Sequence, residues 1–158
     1  MKLLHLCRVA DYLGWEGREV TVANSAIQSA LCKHLSLMTP TNFSVVSENT
    51  SFDPTIEAPY LRSWLLPGET VGLTLGPNGF NSFVGVFQVD AVYPIDKGWG
   101  DAKAKVDKIC THFKRGSLLT FNDLQLRIVK VYPDAGSVDG PTYKISTSIY
   151  YEAYEQNS

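Results

Sequence analysis

The sequence predicts an α+β domain, with a mostly antiparallel sheet and two main helices packed on one face of it. Two segments carry apolar residues at helical spacing, and several others alternate apolar with polar residues. Their order is a helix, two or three strands, a second helix, then two or three more strands, which is the pattern of segregated helices on an antiparallel sheet. At 158 residues the chain is long enough for one domain with a real core and too short to expect two.

The first helix is expected from about Asn24 to Met38, with Asn24 or Ser25 as cap and Pro40 as breaker. Ile27, Ala30, Leu31, His34 and Leu35 share its apolar face. A short strand is expected over residues 42–46, followed by the loop SENTSFDPTIEAP, whose Asn, Asp, Ser and Pro residues favour turns. Tyr60 to Leu66 reads as a strand closed by a Pro67-Gly68 turn, and ETVGLTLGPNGFNS as a hairpin tip or long loop. From Phe83 to Tyr93 the alternation is strong: Phe83, Gly85, Phe87, Val89, Ala91 and Tyr93 face one way, with Gln88 and Asp90 on the other.

The second helix is expected from Asp101 to about Phe113, its face formed by Ala102, Val106, Ile109 and Phe113. Asp101 suits its positive end and Lys114 and Arg115 its negative end, before the natural stop at Gly116. Strands follow over 118–121 and 124–132, then the loop PDAGSVDGP, then a strand from Tyr143 to Tyr154 with one apolar and one polar face. Residues 1–22 read as an extension in which Leu3, Leu6, Val9 and Leu13 share a helical face that Gly14 and Gly17 cut short. Residues 23–154 form the domain, and 155–158 are expected to fray.

The net charge of −2 supplies no general footprint for nucleic acid or an anionic membrane. Charged residues make up only 19% of the chain, which suits a surface partly covered by partners or simply the compositional scatter of short chains. Cys7, Cys32 and Cys110 are odd in number and far apart, which fits a reducing compartment better than a disulfide framework. MKLLHLC lacks the apolar run of a secretory signal, and no stretch approaches the about 20 apolar residues that span a bilayer.

No motif carries chemistry. His5, His34 and His112 are isolated from any ligand or catalytic pattern, and the last two sit late in helices, a structural position. Gly76-Pro-Asn-Gly79 lacks the setting of a phosphate loop, and Gly136-Ser-Val-Asp-Gly140 has its serine one place too early for a nucleophile elbow. Asp101 and Asp107 do not share a helix face, and Trp99 more often packs over a helix start than stacks on a ligand. No catalytic, cofactor-binding or metal-binding residue is therefore assigned.

The segments ENTSFDPTIEAPYLRSWLLPGE, FVGVFQVDAVYPIDKGWGDAKAKVDKICTHFKRG and KISTSIYYEAY, in this order, resemble the tail terminator family of siphophages and their prophage relatives. Glu48, Asn49, Phe52 and Pro54 match its first loop, Pro59 to Arg62 its PYLR strand, and Gly85, Phe87 to Asp90, Tyr93 and Pro94 its central strand. Gly98, Ala102, Phe113, Arg115 and Gly116 match the second helix and its end. All of these read as scaffold: Gly98 and Gly116 bracket the helix, Pro94 ends a strand, and Phe87 and Phe113 are core candidates. The extension before about Val22 and the long stretch Leu73 to Phe80 depart from the family pattern.

The resemblance implies a homo-oligomeric ring, typically a hexamer, seated on the last ring of the tail tube at the head-proximal end of the virion tail, assembled in the host cytoplasm. Its partners would be the major tail tube protein, a head-side connector and the tape measure protein. Within that reading, two loops are the interface candidates: Leu73, Leu75, Asn78 and Phe80 in the stretch 70–82, and Asp134, Ser137 and Asp139 in the stretch 134–141. The alternatives are another head-tail joining protein of similar fold and, motivated only by Trp99 and the glycine-rich loops, a small ligand-binding domain.

Overall fold

The computed structural model describes residues 23–38, 44–53, 58–122 and 124–156. The helical face expected in the first 22 residues lies outside them. In chain order the elements are α1 (Ala23–Met38), β1 (Ser44–Ser47), β2 (Tyr60–Gly72), β3 (Phe80–Pro94), α2 (Gly100–His112), β4 (Leu118–Phe121), β5 (Leu124–Pro133), β6 (Ser137–Asp139) and β7 (Thr142–Gln156). One seven-stranded sheet has the order β1-β2-β3-β7-β5-β4, with β6 paired to β7 beyond the end of β5. Among the described strands only β1 and β2 run parallel, so the sheet is mixed and mostly antiparallel, as the sequence predicts.

Register converts alternation into a core. Leu61 lies opposite Ala91, which lies opposite Ile145; four residues along, Leu65, Phe87 and Ile149 line up in the same way. With Tyr151, Ala153, Leu126 and Ile128 they form one buried face. Onto it α1 lays Ile27, Leu31 and Leu35, and α2 lays Ala102, Val106 and Ile109, the residues whose helical spacing marks these faces in the sequence. Phe87 and Phe113 are both fully buried, their ring centres 6.0 Å apart. Gly98 and Gly116 bracket α2 with φ of 76° and 85°, a backbone region that costs glycine little.

Pro67-Gly68 is not the end of a strand. β2 runs on to Gly72, and a bulge absorbs one extra residue, because Pro67 pairs with Gly85 while Thr70 already pairs with Phe83. An edge strand tolerates the proline, and Gly68 lies so close to Val84 that an added Cβ would stand 2.8 Å from its carbonyl oxygen. β3 likewise starts three residues before its expected beginning. β7 continues to Gln156, so Glu155 and Gln156 pair with Asn81 and Phe80 rather than fray.

These extensions change the proportions of the molecule. β3 and β7, at fifteen residues each, would span about 50 Å at strand rise, whereas the sixteen residues of α1 span about 24 Å at helix rise. The helices therefore cover only part of the sheet's length. Where the cover thins, Gly85 lies directly across from Tyr151, whose phenol fills the space that a side chain would need. Burial pushes the Tyr151 hydroxyl up to about 12. Gly85→Val forces a Cβ to 2.7 Å from the Leu66 carbonyl oxygen and into the Tyr151 ring. It should destabilise the fold by about 1–3 kcal/mol, the usual range for overpacking, read as a lower midpoint in urea unfolding.

The C-terminal ends of α1 and α2 are joined by two histidines 78 residues apart. His34 Nε2 donates to the His112 carbonyl at 3.1 Å, His112 Nε2 donates to the His34 carbonyl at 2.6 Å, and the rings stack with centroids 4.0 Å apart. Neutral Nε2–H tautomers satisfy both bonds, and a second proton on each ring would set two charges face to face. Burial, opposed in part by the bond to His112, lowers the His34 pKa from its ordinary 6.5. The native protein then holds this proton less tightly than the unfolded chain, so stability is full above pH 6.5 and declines as pH falls below it. Melting temperatures recorded across that window should drop on the acid side, and His34→Gln should flatten the drop.

Candidate interaction surfaces

The stretch 70–82, expected as a hairpin tip or long loop, is a hairpin tip: the turn is residues 73–79, and 70–72 and 80–82 are the ends of β2 and β3. It is an ordered tip. The Leu73 amide donates to the Phe80 carbonyl at 2.8 Å, the Phe80 amide donates to Thr74 Oγ1 at 2.8 Å, and the Gly79 amide donates to the Gly76 carbonyl at 3.2 Å. Gly79 is wedged in this turn, where an added Cβ would sit 2.6 Å from the Thr74 carbonyl oxygen. On this frame Leu75 is fully exposed, Leu73 and Phe80 are each about half exposed, and Asn78 is exposed beside them.

The second candidate loop is also built rather than slack. The Asp134 amide donates to the Ser146 carbonyl at 2.8 Å, Thr142 Oγ1 donates to the Asp139 carbonyl at 2.8 Å, and Ser137 to Asp139 form β6 against Lys144 to Thr142. Tyr143 packs over Gly136. Asp134, Ser137, Val138 and Asp139 are all exposed.

The two loops stand at opposite ends of one strand. Asp139 pairs with Thr142 at the start of β7, and Phe80 with Gln156 at its finish, a separation of about 45 Å along an extended strand. One end is apolar and the other carries two carboxylates. The structure does not bring the seven candidate residues into one site; it sorts them into two.

The helix-free face of the sheet holds residues that alternation alone did not mark. Leu66 lies opposite Val86, Val71 opposite Ser82, and Ser82 opposite Tyr154, so Leu66, Val71, Leu73, Phe80, Val84 and Tyr154 share this face, each more than a third exposed. Farther along, the same face turns polar. Asp90, only 1% exposed, accepts from Gln88 Nε2 at 2.9 Å and lies 3.9 Å from Lys144 Nζ. Tyr132 and Tyr150 stack there with hydroxyls 3.2 Å apart, and the Lys130 ammonium sits over both rings. Of this stripe the sequence marked only Leu73 and Phe80, because Val71 and Phe80 belong to strand ends read from sequence as a hairpin tip or long loop.

Trp99 caps the start of α2 with its ring well exposed and the Lys103 ammonium 4.6 Å above it. The Cys32 thiol lies 4.0 Å from the Ser47 hydroxyl, and burial raises the Cys110 pKa. Among the described residues, no three His, Cys, Asp or Glu side chains could hold a metal together, and no helix is long and apolar enough to cross a membrane.

Two ordered loops thus stand at opposite ends of one long strand, and the sequence comparison places the chain in a family. The family model for "Phage tail terminator protein" matches residues 26–151. The chain belongs to that family, and is thereby a structural component of a phage tail. A solved structure with 22% sequence identity superposes with a TM-score of 0.67, covering 81% of this chain and 93% of its own, a likeness of fold. No curated protein matches the sequence.

The tip geometry makes one expectation measurable. Thr74→Val removes the hydroxyl that accepts the Phe80 amide and should cost about 1 kcal/mol. Its signature is faster amide exchange confined to the tip, with the rest of the sheet unchanged.

Proposed function

We propose that the protein forms a closed ring, typically a hexamer, that seats on the end of the tail tube, stops its polymerisation and offers the head-side connector a different surface. The observation that carries this reading is the placement of two chemically unlike loops at opposite ends of β7. A cap must match the tube on one side and refuse a further tube ring on the other, and refusal requires a different surface there. The ring itself is a head-to-tail interface, which engages two different flanks of every subunit and leaves none over once the rotation closes.

On this reading residues 73–80 and 134–139 face along the ring axis, in opposite directions. The tape measure protein, which ends near the same place, is a further candidate contact. The domain, expected over 23–154, runs on to Gln156 through β7, with the first 22 residues as an appendage to it. The same surfaces would also serve a subunit that only joins heads to tails, and the phenotype separates the two. In a deletion mutant, electron micrographs should show tails of uncontrolled excess length; tails of normal length that fail to join heads would reject termination in favour of joining.

A further inference from the structure

At one end of the sheet β2, β3 and β7 form an arm of residues 66–84 and 152–156, with β5 still paired to β7 as far as Tyr154. Its apolar side chains gather on the helix-free face, and its tip is held by hydrogen bonds before anything docks. Among the described residues nothing covers them. A preformed turn and strand-borne side chains lose little freedom on binding, which is the condition for an anchor.

The charges of the arm are all of one sign. Its 24 residues include Glu69, Glu152 and Glu155 and no lysine or arginine. Glu152 stands opposite Arg127 of β5 and accepts from Ser82 Oγ at 3.3 Å, so part of its charge is answered internally. Glu69 sits on the bulge, and Glu155 lies opposite Asn81 on the helix-bearing face with Tyr151 and Ala153; neither faces a cation in the strand register. An apolar stripe on an arm whose own residues supply only negative charge favours a partner with the opposite arrangement.

We infer that this arm is the tube-binding element, and that it docks into an apolar groove flanked by lysine or arginine side chains on the terminal ring of the tail tube. The inference rests on the capping function proposed above and adds to it the end that binds and the chemistry that it meets. A tube end left alone adds another tube ring, so its cap must outcompete a tube subunit. The stickier end of the sheet suits that task, and the hydrophilic loop at 134–139 suits a head-side contact.

The test uses uncapped tubes purified from a deletion mutant and the full-length protein, with co-pelleting as the binding assay and sedimentation velocity as the assay of ring size. Leu75→Asp and the double variant Leu73→Asp/Phe80→Asp alter exposed side chains, so they should melt like the wild type and keep its sedimentation profile. Both should bind tubes at least tenfold more weakly. Glu69→Lys/Glu155→Lys should weaken binding at low salt and flatten its salt dependence, while Val138→Asp, at the other end of the sheet, should bind normally. Unchanged tube binding by the aspartate variants overturns the assignment, as does a loss of rings with tube contacts intact, which would make a second copy of the chain the occupant. Should the wild type itself ignore uncapped tubes, the capping function fails rather than the choice of arm.

Discussion

The ladder between β3 and β7, fifteen residues matched to fifteen without a break, is the constraint from which the remaining geometry follows. It fixes which side chains share a face, and so decides that Phe87, Ile149 and Tyr151 meet the helices while Val84 and Tyr154 do not. It also outruns the helices. Antiparallel sheets can leave one face in water, because pairing satisfies their backbone groups without a second layer. Here that freedom yields a body with a packed core at the centre of the sheet and a stiff extension beyond it.

The helix layer is held by packing and by a joint of two stacked imidazoles. His34 and His112 suit the ends of helices, and the sequence suggests cations interacting with the helix dipoles. The structure instead uses them as paired donors to each other's carbonyls, with burial disfavouring the charged form of His34. Each ring answers a carbonyl near the end of the other helix, where acceptors lack intrahelical partners. Such a joint registers two helices against each other more narrowly than apolar contact alone, because a stacked, doubly bonded arrangement has few close alternatives.

How far the sequence could be read depended on how local each signal was. α1, α2 and β7 were legible to within two residues because spacing of 3.6 or 2 is written in adjacent positions, as in Ile27, Leu31 and Leu35 or Ile145, Ile149 and Tyr151. The strand beyond Leu66 was not. Pro67-Gly68 is a strong turn signal locally, and only the partner strand, which places Gly85 and Phe83 opposite, turns it into a bulge. Leu73, Leu75 and Phe80 stood out as exposed apolar residues, but their separation from Asp134 and Asp139 is set by pairings across dozens of residues. The stacked histidines were invisible for the same reason.

The bulge between Pro67 and Thr70 has a further effect. β1 covers β2 only from Tyr60 to Ser63, so among the described strands the outer margin of β2 is bare from Trp64 to Gly72. A bare margin of that length invites stray chains to add themselves and grow fibres. Proline, a break in register and the charge of Glu69 interrupt it near the middle. A structural component of a phage tail thus carries, in its own covalent structure, a safeguard against growing without limit itself.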